Sequence, residues 1–389
     1  MQEINISKPE RLRVCQIVPT LEQGGAEKQL CLLATGLDKS KFESHVVVLT
    51  RTGPWEDELL RQGVHVHHIN KRGKLDFLAL GRLTALIKRI QPHVVHSWLF
   101  AANCYGRMAA YRAKVPVVIA GERCVDPWKK WWHHAIDRYL VKRTDAIVTN
   151  TSAIVEFYAA HGIHADRFSI IPNAIEPFQG HRLNRAEVFQ RLKIEPQQHL
   201  VLAVGRLWPQ KGYRDLIWAG ELIHVALASS MLVIVGDGPE RKRLQTYRDH
   251  TGGTESVRFV GHRSDAAELM TGTDILWNGS HYEGQSNTIL EAMNVGIPVV
   301  ATDIPGNRDL VVENETGSLY KVGDVEKLTR TTVQLLGEHD RRAAMGVNAS
   351  KRVRAEFSLP QMLDRHQQLY ARLCVQKGIL SAESVLSKL

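Results

Sequence analysis

Leu200-Val201-Leu202-Ala203-Val204-Gly205-Arg206-Leu207-Trp208-Pro209-Gln210-Lys211-Gly212 is an apolar run that breaks into a glycine-bounded loop carrying two cations. An apolar run without polar alternation reads as a strand covered on both faces of a parallel sheet, and the loop as its exit toward a helix. The pattern recurs downstream at Met231–Val235, Val257–Val260, Ile275–Trp277 and Pro298–Thr302, each alternating with a helical pattern. Upstream it recurs at Arg13–Pro19, His45–Thr50, Val64–Ile69, Val94–Trp98, Val117–Ala120, Ala146–Thr149 and Ser169–Ile171. Helical patterns at Ala26–Gly36, Leu75–Ile90, Ala101–Arg112 and Ala153–His161 lie among them.

Between the two series, from Asn173 to Gln198, prolines at 177 and 196 bracket a charged helix. The linker is therefore expected at 174–199, between a first domain at 1–173 and a second at 200–389. The fold class is α/β, with two Rossmann-like doubly wound domains expected to face a central cleft, since ligands bind outside the C-terminal ends of such strands. Val325–Leu336, Arg341–Glu356 and Leu359–Gln376 read as helices, and the last helices could pack back on the first domain.

The 389 residues exceed what one hydrophobic core usually serves, and 44% apolar content fits a soluble globular chain. Cys15, Cys31, Cys104, Cys124 and Cys374 are odd in number and scattered, which favours a reduced, cytoplasmic setting. Met1–Arg13 has no apolar core of a signal peptide, and no uninterrupted apolar run nears the roughly 20 residues of a membrane span. The net charge of +9 is concentrated early: residues 1–175 hold 24 Lys/Arg against 16 Asp/Glu. That asymmetry suits an anionic partner (membrane, lipid diphosphate or nucleic acid) or a plain solvated basic surface. Nucleic acid rests on charge alone, without a stacking module, and is not expected.

The strand exits of the second series carry the chemistry. Arg206 and Lys211 can neutralise a diphosphate and stabilise it as it departs. Gly236-Asp237-Gly238-Pro239 is a tight turn suited to start a helix. After Ile275–Trp277 comes Glu283-Gly-Gln-Ser-Asn-Thr-Ile-Leu-Glu291, two carboxylates around a helix start read at Ser286–Asn294. First-turn N–H groups accept an anion, and carboxylates accept hydrogen bonds from sugar hydroxyls. A nucleotide-sugar satisfies all of these. In the first series, Glu22-Gln-Gly-Gly-Ala-Glu27 lets backbone approach phosphate or is a plain βα turn, and His96 is a cleft residue or a structural one.

Gly-Gly-Ala-Glu, Gly-Arg-Leu-x-x-x-Lys-Gly, Gly-Asp-Gly-Pro and Glu-Gly-x-Ser-Asn-x-x-x-Glu-Ala-Met occur in this order. In these motifs the chain resembles the retaining glycosyltransferases of family 4, with the GT-B fold, from about residue 12 to residue 370. The resemblance implies that Glu291 binds the nucleotide ribose and Glu283 the donor sugar near its anomeric centre. It implies that Arg206 and Lys211 hold the diphosphate, assisted by backbone at Gly24, Gly25, Ser286, Asn287 and Thr288. Residues around Gly236 and Gly261-His262-Arg263 would line the base pocket, which suits uridine and guanosine alike. It further implies transfer with retained anomeric configuration. The acceptor would be a hydroxyl of a glycan or lipid-linked intermediate, as in polysaccharide and cell-envelope biosynthesis. No Asp-x-Asp occurs, so no metal and no other cofactor is expected.

Many relatives carry a histidine just after the strand matching Val117–Ala120; here stands Gly121-Glu122-Arg123-Cys124. Glu122 or Arg123 could face the acceptor, or His96 could take over the contact. Competing readings are a GT-B phosphorylase or a sugar-nucleotide epimerase. A dinucleotide-binding dehydrogenase fails locally, since Arg241 stands where a third glycine is wanted.

Pro127-Trp-Lys-Lys-Trp-Trp-His-His134 mixes aromatics and cations. It reads as a peripheral contact with an anionic membrane at its inner face, as a helix whose tryptophans enter the core, or as an acceptor-sugar platform. His65, His67 and His68 alternate along a strand without a carboxylate at metal spacing and read as structural.

Overall fold

A computed structural model describes residues 11–73 and 75–381, which divide into two compact units. The first unit comprises residues up to Ala174 together with those from Leu359 onward; the second is Ile175–Ser358.

In the first unit the chain runs β1 (Leu12–Thr20), α1 (Gly25–Gly36), β2 (Phe42–Arg51), α2 (Trp55–Arg61), β3 (His65–His68), α3 (Phe77–Ile90) and β4 (Val94–Trp98). It continues through α4 (Leu99–Ala113), β5 (Val117–Glu122), α5 (Trp131–Val141), β6 (Ala146–Thr149), α6 (Ser152–Ala159) and β7 (Phe168–Ile170). The seven strands form one parallel sheet in the order β3-β2-β1-β4-β5-β6-β7. β4 and β5 are buried along their whole length, because helices cover both faces, whereas the edge strands β3 and β7 are half-exposed.

The second unit runs α7 (Arg185–Leu192), β8 (His199–Val204), α8 (Tyr213–Ala226), β9 (Ser230–Val235), α9 (Arg241–His250), β10 (Val257–Gly261) and α10 (Ala266–Met270). Then come β11 (Ile275–Asn278), α11 (Asn287–Val295), β12 (Val299–Thr302), α12 (Pro305–Arg308), β13 (Gly317–Tyr320), α13 (Val325–Gly337) and α14 (His339–Glu356). Its six strands are parallel in the order β10-β9-β8-β11-β12-β13, with a separate apolar cluster on each face. In both sheets the order reverses beside the first strand, which places the topological switch point at β1/β4 and at β8/β11.

One boundary differs from the sequence expectation. The stretch 174–199 is no free linker: Leu183, Val188, Phe189, Leu192 and Ile194 are buried in the second unit's core. The amphipathic α7, capped by Asn184 and Glu187, supplies the apolar face that the prolines and charges disguised. The final helix, α15 (Leu359–Gln376), belongs to the first unit, where Met362, Leu369, Tyr370, Leu373 and Cys374 enter the core. No helix among the described residues is long and apolar enough to cross a membrane.

Candidate active site

The exits of β8 and β11 are tied to each other by backbone. The His281 N–H donates to the Gln210 carbonyl at 2.8 Å, and the Gln210 side-chain amide donates to the Tyr282 carbonyl at 2.6 Å. Gly212 has φ +63°, and a Cβ there would stand 2.0 Å from the Gly279 carbonyl oxygen. This close approach brings Lys211 to Glu283: Nζ lies 2.5 Å from Oε1. The Ser280 hydroxyl donates to the same oxygen. Both contacts fall on Oε1, so Oε2 has no hydrogen-bond partner among the described residues. Glu283 is nearly buried, while Lys211 is partly open to solvent. Burial of a carboxylate requires such a paired cation and hydroxyl.

Arg206, on the same loop as Lys211, is exposed and makes no ion pair among the described residues; its guanidinium lies 4.7 Å from the Trp208 ring. The turn at Gly236 and Gly238 packs against this loop. A Cβ at Gly236 would meet the Gly205 carbonyl at 1.9 Å, and the Leu207 N–H donates to the Asp237 carbonyl at 2.9 Å. Gly236 therefore shapes the Arg206 loop.

Ser286 is the N-cap of α11, yet its hydroxyl accepts from the Asn278 amide at 3.2 Å and makes no cap bond. The Ser286 side chain therefore leaves the first turn of α11 without an N-cap bond. Glu291 follows one turn later, half-buried, on the face of Thr288.

Sequence reasoning missed the support beneath this loop. Asn278 Oδ1 accepts from the Ser280 N–H at 3.2 Å and from the Asn307 amide at 3.4 Å; Asn307 also donates to Thr302. The Thr302 hydroxyl donates to the Ser280 carbonyl at 2.5 Å. Asn278 and Thr302 terminate two adjacent buried strands, and polar residues ending apolar runs were the available signal.

Several expected positions fall elsewhere. His96 does not line a cleft: its ring is fully buried, its Nδ1 lies 2.8 Å from the Tyr370 hydroxyl of α15, and it stacks on Trp98. Burial holds it well below the usual histidine range, so it stays neutral. Glu122 is buried and accepts from the Asn103 amide at 2.8 Å. Arg123 is buried over Trp98 and donates to Asn173 at 2.7 Å; burial lowers it to about 10. Neither faces outward from the strand end. Arg263 turns to Asp265 at 2.7 Å and to the Arg191 carbonyl, because one carboxylate and one backbone acceptor lie within reach. At the α1 start, Glu27 curls back so that a Cβ at Gly24 would stand 2.1 Å from its Oε2. The positive end of α1 attracts the chain's own acid, which lies beside the Gly24-Gly25 loop.

Comparison with known proteins identifies the family and the fold. Residues 184–352 match the family described as Glycosyl transferases group 1, and residues 23–177 match Glycosyltransferase Family 4. A GDP-mannose-dependent alpha-mannosyltransferase of Mycobacterium tuberculosis is 30% identical over 329 residues, covering 77% of this chain and 81% of that one. An Escherichia coli UDP-Gal:alpha-D-GlcNAc-diphosphoundecaprenol alpha-1,3-galactosyltransferase is 25% identical over 319 residues, 78% of this chain and 81% of that one. The crystal structure of Anabaena HepE in complex with UDP and glucose superposes with a TM-score of 0.82 at 20% identity. It covers 93% of this chain and all of that one, a likeness of fold.

Proposed function

From the premise that this chain belongs to glycosyltransferase family 4 and is a glycosyltransferase of GT-B fold, we propose a donor, an acceptor and a stereochemical course for its reaction. It moves a sugar from a nucleoside-diphosphate sugar to a hydroxyl of a glycan or lipid-linked acceptor, with retained anomeric configuration and without a metal. The observation that carries this reading is the Lys211–Glu283 pair beside the start of α11, in which Glu283 Oε2 has no hydrogen-bond partner among the described residues.

In this reading Glu283 Oε2 accepts a hydroxyl of the donor sugar, while Lys211 holds Oε1 and faces the diphosphate. Arg206 and the first turn of α11 share the phosphate charge, and Glu291 accepts the ribose hydroxyls. The bond from the anomeric carbon to the diphosphate oxygen breaks, and the bond to the acceptor oxygen forms. The acceptor proton passes to the departing phosphate. Negative charge grows on that leaving group, where preorganised cations lower the barrier most. Two cations fixed on one loop supply the counter-charge that a metal provides elsewhere. The alpha products named for both relatives are those expected of retention from alpha-linked sugar nucleotides. The diphosphoundecaprenol-linked acceptor named for the Escherichia coli relative favours a lipid-linked acceptor.

The test is a screen of UDP- and GDP-sugars for a rise in unfolding temperature, followed by transfer with the stabilising donor. Expected are release of nucleoside diphosphate, activity in excess EDTA and an alpha-linked product by NMR. Glu283→Gln should lower turnover about a hundredfold while donor stabilisation persists. Full turnover in that variant overturns the site; loss of activity in EDTA overturns metal independence.

A further inference from the structure

We propose that the first unit carries a docking face for an anionic lipid bilayer, formed by the starts of α3 and α5. The proposal stands on that unit alone and does not rest on the donor-site reading.

Six large apolar side chains are exposed at these two helix starts. Leu75, Phe77 and Leu78 are 81%, 81% and 77% exposed, and Trp131 is 80% exposed, with Trp128 and Trp132 at 49% and 42%. Single exposed hydrophobics are ordinary, but grouped ones mark an interaction surface. β3 and β5 run parallel, so the connections that lead into α3 and α5 leave the same edge of the sheet. α4 packs against both helices. The Asp76 N–H, at the N-cap of α3, donates to the Tyr105 hydroxyl of α4 at 2.7 Å. Phe100, at the start of α4, meets Trp128 edge-on at 5.9 Å. At ordinary helix spacings the two groups lie roughly 20 Å apart, near enough to meet one flat surface together.

The exposure is built in by inward anchors. The Lys129 side chain is fully buried, with Nζ 3.1 Å from Asp137, 3.6 Å from Asp126 and 3.8 Å from Glu122. His133 Nδ1 accepts the Lys130 N–H at 2.9 Å, and His134 is buried in a stack on His161. These contacts turn the neighbouring Trp128, Trp131 and Trp132 outward, which excludes the reading in which the tryptophans fill the core. At the other helix, Asp76 accepts from the Arg72 and Ala79 N–H groups at 2.8 Å and fixes the turn that presents Leu75, Phe77 and Leu78.

Charge selects the occupant. Arg72 and Lys130 are exposed at the two helix starts, and Arg82, one turn into α3, is exposed and pairs with Asp76 at 3.5 Å, while the acids nearest α5 are drawn inward by Lys129 and by Arg107, 2.9 Å from Asp137. A bilayer interface seats indole rings at headgroup level and aliphatic groups just beneath, and basic side chains meet its anionic lipids. A protein partner would equally cover apolar groups, but the basic rim specifies a negative surface.

The experiment is flotation of the full chain, without nucleotide-sugar, on phosphatidylcholine vesicles with and without about one third phosphatidylglycerol. Expected is flotation with the anionic vesicles at low salt, weakened by salt and by removing the phosphatidylglycerol. The Phe77→Ser/Trp131→Ser double variant should lose about tenfold in partitioning, and Lys130→Glu should reduce it further. Wild type remaining unbound to both vesicles overturns the proposal, as does a double variant that floats like wild type. So does a wild type that self-associates through this face without vesicle capture. Should the double variant unfold, quenching of wild-type tryptophan fluorescence by brominated phosphatidylglycerol, reduced in Trp131→Phe, supports the face. Absence of quenching overturns it.

Discussion

A side chain at position 212 would collide with the Gly279 carbonyl, at a φ of +63° where side chains are already strained. Gly212 thus sets the distance between the β8 and β11 exits, and with it the Lys211–Glu283 pair. Gly212→Ala is expected to destabilise the second unit by about 1–3 kcal/mol and to lower turnover, by separating the pair without removing either member. Thermal unfolding alongside steady-state transfer checks this; unchanged turnover with lowered stability would refute the positioning role. Lys211 and Glu283 were legible because their types and glycine-bounded loops express chemistry locally. His96 and Arg263 were not. His96 finds its partner Tyr370 far along the chain, and Arg263 is claimed by Asp265, so neither role is written in its own neighbourhood.

α15 illustrates what an element's amphipathic pattern reveals and what it withholds. Its period announced a helix, but its buried polar partner in β4 fixes where it docks. Tyr370→Phe removes the 2.8 Å bond to His96 and leaves a buried ring nitrogen unsatisfied, at a cost of about 1–3 kcal/mol. The first unit should lose stability while donor-induced stabilisation of the second persists, which two-probe melting would separate. Histidines on these elements also make folding sensitive to acid. Burial lowers His366 to about 3; burial and neighbouring His45 and His65 lower His67 to about 4. Each is depressed below its unfolded value, so its stabilisation is present above about pH 6.5 and is lost as pH falls toward the folded value. One such group contributes up to about 1.4 kcal/mol per pH unit in that window, less for the half-exposed His67. The unfolding midpoint should fall between pH 7 and pH 5, and His366→Gln should flatten that slope. His67 and His68 were read as structural from their alternation along an edge strand. The carboxylates beside this group, Glu43 near His45 and Glu56 near His68, come from β2 and α2, which spacing within β3 could not show.

At the scale of the whole chain, alternation of apolar runs and helices made two α/β units readable, because buried parallel strands leave no polar alternation to confuse them. The boundary was misplaced because the charged face of α7 resembles linker composition, while its apolar face is visible only against the core it fills. The corrected boundary has a consequence for folding. The second unit is one continuous segment whose ends meet: the Ile175 N–H donates to the Phe357 carbonyl at 3.0 Å, and Ile175 bridges to Ser358. The first unit is assembled from both ends of the chain and needs α15 to complete its core. A segment with its own sheet, a core on each sheet face and closed ends meets the conditions for independent folding. The excised 175–358 segment is therefore expected to unfold in one cooperative transition and to be stabilised by the same nucleoside-diphosphate sugar as the full chain, without transferring it. Removal of residues 359–389 from the full chain should instead expose the first unit to protease and spare the second. A 175–358 segment that melts without cooperativity, or a truncated chain digested evenly across both units, would show that stability is shared more widely than the cores suggest.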